Sequence, residues 1–330
     1  MTPTVPATMR AAVLRAPGGP DALVVRSIPV PVPAPGWVLI RVRAVGLNRS
    51  ELHTRLGLAV GVTLPRVLGI EATGEVVDCP GGELPAGHRV VAMMGGMGRT
   101  FDGGYAEYTC VPVRQVIAVN SDLPWELLGA VPEMLQTAYG SLTTGLDFQP
   151  GQTLLIRGGT SSVGMAAAVL AKRRGLTVLS TTRAPAKAAR LRQIGVDHVL
   201  IDDGAVADEV RSVYPNGADL ALELVGTPTL PDTLRSLTVH GVVCFTGMLS
   251  NTWVVESFYP IDYLPTGVRL TAYGGDATDL PADVLQDYLA AAADDPGLIP
   301  LDRVFPLDDI SEAHEYMEQN RATGKIVVIP

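Results

Sequence analysis

The chain has 330 residues, 47% of them apolar and 18% charged, with 35 glycines and 26 prolines. That length suits two domains with a core each, and that composition fits a turn-rich α/β protein and argues against disorder. The net charge of −9 argues against nucleic acid or an anionic membrane as the main partner.

Cys79, Cys110 and Cys244 lie too far apart for a disulfide framework or a zinc ribbon, which suits a reducing cytoplasm. Met1–Arg10 has no apolar core of the signal-peptide kind, and no apolar run approaches the roughly 18 residues of a membrane span.

Residues Met9 to Val119 read as β-rich. Ala11–Leu14 is a predicted strand, closed by Pro17-Gly18-Gly19-Pro20, and Pro29–Pro35 is an extended connector. Trp37–Arg43, Gly74–Val77 and Arg89–Ala92 follow the short-strand pattern, with Gly/Pro turns between them. Such a series points to a small barrel, in which Arg49–Leu56 alone reads as helical. From Pro124 the pattern changes, with helices expected over Trp125–Val131 and Met134–Thr143.

Thr153–Arg183 is the most informative stretch. The apolar run Thr153–Arg157 leads to the loop Gly158-Gly159-Thr160-Ser161-Ser162-Val163-Gly164, then to the Ala-rich helix Met165–Lys172 and a second strand ending in Ser180-Thr181-Thr182-Arg183. Strand, glycine turn, helix, strand is the opening of a dinucleotide-binding fold. Small residues let backbone approach a pyrophosphate, and the unpaired N–H groups of the helix start attract its charge. Ser161 stands where a strict G-x-G-x-x-G has its middle glycine.

An NAD site of this type carries Asp or Glu at the end of the second strand, for the ribose 2′-OH. Here no acid occurs from Gly158 until Asp197, and the strand end offers Thr181, Thr182 and Arg183, with Lys187 one turn on. Hydroxyls and cations suit a 2′-phosphate, so the expected cofactor is NADP(H).

Strands His198–Ile201, Leu220–Val225, Val242–Phe245 and Val268–Ala272 then alternate with helices Pro185–Ile194, Ala205–Val213 and Leu230–Leu237, as in a doubly wound parallel sheet. Helices Pro281–Ala293 and Ile310–Arg321 precede a last strand, Lys325–Ile329, which could close back on the barrel.

Several segments resemble the medium-chain dehydrogenase/reductase superfamily, and within it the zinc-independent quinone oxidoreductases (zeta-crystallin-like). They are Gly46–His53, Leu68–Gly74, Phe101–Tyr108, Leu135–Gly140, the Gly158–Gly164 loop and Gly324–Val327, in the family's order and across nearly the whole chain. The resemblance implies a GroES-like β-barrel catalytic domain, residues 1–124 and 274–330, and an inserted Rossmann domain, residues 125–273. It also implies an active cleft between the domains and a homodimer formed through the edge of the Rossmann sheet.

Zinc members place Cys where this chain has Asn48 and His where it has Ile70, and their third ligand falls near Glu133. Ile70 cannot ligate and Asn48 is a poor partner, so no metal is expected. The resemblance makes Asn48, Ser50 and His53 the catalytic candidates. Asn48 would lie beside the nicotinamide ribose or the substrate carbonyl; Ser50 and His53, at i,i+3 spacing, would relay a proton. Asn48 as a turn residue, Ser50 as a helix-start group and His53 as a histidine without a role are the competing readings.

Thr137 resembles a helix-start hydroxyl near the nicotinamide. Leu224-Val225-Gly226 and Phe245-Thr246-Gly247 end strands at the carboxyl edge, where ligands sit, and are expected to touch the cofactor through backbone. Trp253, Phe258, Tyr259 and Tyr263 form either a cap for a flat aromatic substrate or a core or dimer contact.

The resulting expectation is an NADPH-dependent, zinc-independent cytoplasmic reductase that moves a hydride to a small hydrophobic quinone or α,β-unsaturated carbonyl. The alternatives are a trans-acting enoyl thioester reductase, or an NADPH-binding sensor or structural protein with little turnover.

Overall fold

The structure, a computed structural model, describes residues 5–330. The chain forms two compact units, one up to Glu133 together with Asp276–Pro330, the other Met134–Gly275. The first crossover thus falls later than the residue 124 expected from sequence, because Trp125–Leu128 and the start of the next helix pack with the first unit.

The first unit opens with strands β1 (Thr8–Leu14), β2 (Leu23–Pro29) and β3 (Trp37–Gly46), then α1 (Arg49–Arg55). Strands β4 (Arg66–Val67), β5 (Glu71–Asp78), β6 (Arg89–Met93), β7 (Tyr108–Pro112) and β8 (Val116–Ala118) follow, then α2 (Trp125–Leu128). β3 is the hub: β5 and β7 both pair with it antiparallel. Its ten residues are mostly buried, with Arg41 outward. Leu14, Ile40, Leu52, Leu68 and Tyr105 belong to the core beneath it.

The second unit takes over within α3 (Pro132–Gly140). Its elements alternate: β9 (Thr153–Arg157), α4 (Ser162–Arg173), β10 (Thr177–Thr182), α5 (Ala188–Gln193), β11 (His198–Ile201) and α6 (Ala207–Val213). They continue as β12 (Ala218–Glu223), α7 (Leu230–Arg235), β13 (Leu237–Phe245), α8 (Pro260–Tyr263) and β14 (Arg269–Ala272). The six strands form one parallel sheet in the order β11-β10-β9-β12-β13-β14. The central strands β9, β12 and the second half of β13 are buried and read as apolar runs, whereas the edge strand β14 is mostly exposed. The order reverses between β9 and β12, the switch point where such sheets bind ligands beyond their carboxyl ends.

The chain then returns to the first unit through α9 (Ala282–Asp294), β15 (Leu301–Pro306), α10 (Ile310–Glu318) and β16 (Lys325–Ile329). β16 pairs antiparallel with β3, Val328 opposite Val45, so the last strand does close on the first unit's sheet.

Strands β2, β4, β7, β8 and β15 are not among those expected from sequence. β2 and β15 present mostly exposed or half-exposed residues, β7 alternates around a Thr-Cys pair, and β4 and β8 have only two and three residues, so none shows an apolar run of strand length. The α10 helix stops at Glu318, short of the expected Arg321, and Asn320 just beyond it takes a positive φ of 56°.

One buried polar group in this core has a consequence for stability. His314 on α10 is fully buried, with Nε2 3.2 Å from the Tyr105 hydroxyl and Nδ1 without a partner among the described residues. Burial, and then the Arg55 guanidinium, push its pKa down to about 3. The imidazole is neutral in the folded chain but takes a proton in the unfolded chain below about pH 6.5. Folding stability from this group is therefore complete above that pH and falls as pH drops, by up to about 1.4 kcal/mol per pH unit. Urea unfolding of His314→Gln at pH 7.5 and pH 5 is expected to show about 2 kcal/mol less acid destabilisation than the unsubstituted chain. Equal losses in both would show that His314 protonates in the fold.

Candidate active site

The nucleotide loop is shaped by contact with β10. Gly159 lies so close to Ser180 and the Thr181 carbonyl that any Cβ would collide with them. The Gly159 amide donates to the Thr181 carbonyl at 3.0 Å, and the Gly158 amide to Thr181 Oγ1 at 3.0 Å. Ser161 caps α4: its hydroxyl accepts from the Gly164 amide at 3.1 Å and donates to the Gly158 carbonyl at 2.8 Å. A serine at the middle glycine position is thus the helix cap, and its side chain serves the loop. The amides of Ser162 and Val163, in the first turn of a 12-residue helix, have no intrahelical acceptor, which is the arrangement that receives a phosphate. Thr160, Ser162 and Val163 are half-exposed beside them.

At the end of β10 the two threonines differ. Thr182 is buried and its hydroxyl closes a local turn with the Ala184 backbone. Arg183 is exposed and Lys187 half-exposed. On the neighbouring strand ends, the amides of Thr246 and Gly247 both donate to the Glu223 carbonyl, and the Ser250 amide donates to the Val225 carbonyl at 2.8 Å. Leu224, Val225, Phe245, Thr246 and Gly247 therefore lie together beyond the carboxyl edge of β12 and β13. Thr246 Oγ1 is 2.9 Å from Ser141 Oγ, which donates to the Thr137 carbonyl at 2.6 Å. Thr137 itself is past the first turn of α3, so it is not a helix-start hydroxyl; its side chain donates to Gln136 Oε1 at 3.2 Å.

In the first unit, Asn48 sits in a buried charge cluster. Lys325 Nζ donates to Asn48 Oδ1 at 2.5 Å and lies 2.7 Å from Glu71 Oε1 and 3.2 Å from Glu133 Oε2. Asn48 Nδ2 donates to Glu71 Oε1 at 3.0 Å. Glu51 accepts from the backbone amides of Asn48 at 2.9 Å and Ile70 at 2.8 Å. Gly46 supplies the space, since a Cβ there would collide with Glu71 and the Lys325 stem.

Burial alone would lower the Lys325 ammonium, but Glu71 and Glu133 outweigh it and raise its pKa. Burial pushes the Glu51 carboxyl up to about 7, against the pull of the backbone amides and Lys325. Both polar ends of Asn48 are thus engaged by buried partners. Ser50 is half-buried and His53 buried, one turn apart on α1. The aromatic group is divided: Phe258 and Tyr259 are exposed, and Phe258 meets the Tyr263 ring edge-on at 5.1 Å.

These residues do not fit zinc. Of the three positions at which zinc members hold the ion, Ile70 offers no donor atom, and Asn48 and Glu133 already share the Lys325 ammonium. Among the described residues, no group of three His, Cys, Asp or Glu side chains is arranged to hold a metal. Nor is any helix among them long and apolar enough to cross a membrane.

Two family models match: an alcohol dehydrogenase GroES-like domain over residues 34–121, and a zinc-binding dehydrogenase domain over 194–328. Prostaglandin reductase-3 of Bos taurus is 29% identical over 322 residues, 92% of this chain and 84% of its own length. The quinone oxidoreductase of Pongo abelii is 28% identical over 325 residues, 94% and 95% of the two chains.

Among solved structures, an NAD-dependent alcohol dehydrogenase superposes with a TM-score of 0.87 at 26% identity, covering 98% of this chain and 100% of its own. A mycobacterial protein complexed with NADPH gives 0.85 at 25%, with the same coverage. With the parallel sheet, the glycine loop and these matches in place, the chain belongs to the medium-chain dehydrogenase/reductase superfamily and is an oxidoreductase that uses a nicotinamide cofactor. Within the superfamily it stands with the zinc-independent quinone oxidoreductase-like group.

Sequence reading missed Lys325 and Glu51 and treated Glu71 and Glu133 only as failed metal ligands. A signal was present: Lys325 heads the otherwise apolar strand Lys325-Ile326-Val327-Val328-Ile329, and a lysine inside such a strand needs a buried acid. Removing that cation leaves Glu71 and Glu133 buried without a counter-charge. Lys325→Met is expected to lower stability in urea unfolding by about 3–5 kcal/mol, and adding Glu71→Gln to recover part of the loss. A loss below about 1 kcal/mol would mean that the cluster is no tighter than a surface ion pair.

Proposed function

We propose that the protein is an NADPH-dependent, zinc-independent reductase that transfers a hydride to a quinone or to the β-carbon of an α,β-unsaturated carbonyl compound. The observation that carries the cofactor choice is the end of β10. It presents Arg183 and Lys187 to solvent, while Asp202, the acid at the neighbouring strand end, is bound on both oxygens by the Arg157 guanidinium. A bound nicotinamide would supply the hydride. The chain's own part is to hold the pyrophosphate on the Ser162 and Val163 amides, and the 2′-phosphate on Arg183 and Lys187.

The acceptor class follows from the charge cluster. Lys325 is only 1% exposed and already serves Asn48, Glu71 and Glu133, so no cation of this cluster is left to polarise a substrate carbonyl. Quinones and enones spread their developing negative charge over a conjugated system, and so need less help of that kind. The quinone oxidoreductase and prostaglandin reductase relatives support the same class of acceptor. Asn48 would hold the Gly46–Glu51 turn in place, and Ser50 with His53 would pass a proton to the reduced acceptor.

The reading extends to a homodimer. β14 ends the sheet with one strand neighbour, and Leu270 on it and Val239 nearby are exposed, so a second copy could continue the sheet at that edge. Sedimentation of the unsubstituted chain and of Leu270→Lys should then give a dimer and a monomer; two identical masses would remove this edge as the interface.

The main test is oxidation of NADPH, and separately NADH, against a benzoquinone, an ortho-quinone, an alkyl enone and a crotonyl thioester. Turnover with NADPH and a quinone or enone is expected. Turnover with the thioester alone would make it an enoyl reductase, and NADPH binding without turnover a sensor. Replacing Arg183 and Lys187 together by Ala should raise KM for NADPH about tenfold or more while leaving that for NADH nearly unchanged. His53→Ala should lower kcat by about a hundredfold and change the pH–rate profile; a profile that keeps its shape would exclude a proton-carrying role.

A further inference from the structure

Beneath the nucleotide loop the second unit holds a buried guanidinium that the reaction itself does not use. Arg157, the last residue of β9, is fully buried. Its Nε donates to Asp202 Oδ2 at 2.6 Å and its Nη2 to Asp202 Oδ1 at 2.8 Å. Nη1 donates to Asp232 Oδ2 at 2.6 Å and to Thr233 Oγ1 at 3.4 Å. Asp202 follows β11 directly, and its amide donates to the Thr182 carbonyl at 2.9 Å. Its carboxylate also accepts from Thr181 Oγ1 at 3.3 Å and from the Gly204 amide at 3.0 Å. An acid therefore stands at the end of the second strand after all, brought there by β11.

We infer that Arg157 is a specificity-determining residue: by holding the Asp202 carboxylate on both oxygens, it keeps an anion out of the place where a 2′-phosphate would have to sit. The inference rests on the NADPH reading and gives it a mechanism. An acid at the end of this strand is the usual partner of an NAD ribose and repels a phosphate on the same carbon. Neutralised by a bidentate guanidinium, the same acid neither takes the ribose hydroxyl nor repels the phosphate. Burial would raise the Asp202 carboxyl, but Arg157 outweighs it and holds the acid below its ordinary range, so the pair stays ionised as a pair. Asp232 occupies the remaining nitrogen and faces the Val206 amide at 2.7 Å, so Arg157 is fixed from the opposite side.

A purely structural arginine and a specificity-determining one predict different binding. Loss of loop support weakens NADPH and NADH alike, whereas a released acid changes their ratio. Calorimetric titration of the full chain with each nucleotide would give the two Kd values for four proteins: unsubstituted, Arg157→Gln, Asp202→Asn and the double variant.

The unsubstituted chain is expected to prefer NADPH. Arg157→Gln should reduce that preference by about tenfold or more, and the double variant should restore it, because the released acid is then neutral. An unchanged ratio in a folded Arg157→Gln protein, or a fall that the double variant does not reverse, overturns the role of Arg157. If Arg157→Gln does not fold, Asp202→Asn decides: with Arg157 in place the acid is already neutralised, so the NADPH preference should not fall, and a preference that falls overturns the inference. Equal affinity of the unsubstituted chain for both nucleotides would instead overturn the NADPH reading itself.

Discussion

Arg157 carries a single positive charge into a place where Asp202 and Asp232 converge, and where Thr233 passes the contact on to Glu223 at 2.5 Å. The carboxyl ends of β9, β10, β11 and β12 meet there, because Thr181 joins Asp202 and Glu223 ends β12. Apart from Thr137 on α3, every segment expected to touch a dinucleotide leaves from one of those strand ends or from β13, which Glu223 holds through the Thr246 and Gly247 amides. Without the guanidinium Asp202 would have no cation and Asp232 only the exposed Arg235 at 3.5 Å, so the two buried acids would repel each other and strain the strand ends. The guanidinium therefore steadies the strand ends from which these loops leave, and any selectivity for the cofactor is added on top of that support.

The first unit solves a similar problem with a lysine. Lys325 comes from the last strand, Glu71 from the centre of the sheet, Glu133 from the start of α3 and Asn48 from the turn into α1. An ammonium with three donors can face three acceptors from different directions, which suits a junction of four segments better than a planar guanidinium. Glu51 completes the cluster, and its carboxyl, pushed up to about 7, can lose its proton near neutrality beside Glu71. A raised carboxyl loses stability as pH rises from about 4.5, its ordinary value, to about 7, where the loss is complete, the reverse of the His314 effect. Acid thus relieves one buried group while it loads the other.

Much of this architecture was legible in the sequence because it rests on local pattern. The β9–α4–β10 unit, the glycine loop and the strands after it show apolar runs of the right length with small-residue turns. The Lys325–Ile329 strand was placed residue for residue. What could not be read were contacts between distant segments. Asp202 lies 45 positions from Arg157, and Glu71 is more than two hundred from Lys325, so no spacing rule links them. Counting acids along the chain from Gly158 found none at the end of β10, yet the neighbouring strand delivers one there. Thr182 and Ser161 show the complementary limit: each is the right type of residue at the right place, but its hydroxyl is engaged in holding a turn or a helix cap.

The lysine cluster also shows how this fold can be joined at the zinc position of its relatives by a side chain instead of a metal. At the zinc position of related enzymes a dication would gather ligands from several segments; here a covalently attached monocation gathers Asn48, Glu71 and Glu133 and performs the same joining. The replacement is not equivalent in chemistry. A metal with an open position can accept a substrate oxygen, whereas an ammonium engaged by three side chains at 1% exposure cannot. A chain built this way keeps the scaffold and the hydride donor, and shifts the burden of charge stabilisation onto the acceptor. That is the physical reason behind the proposal that its acceptors are conjugated carbonyl compounds and not simple alcohols and ketones.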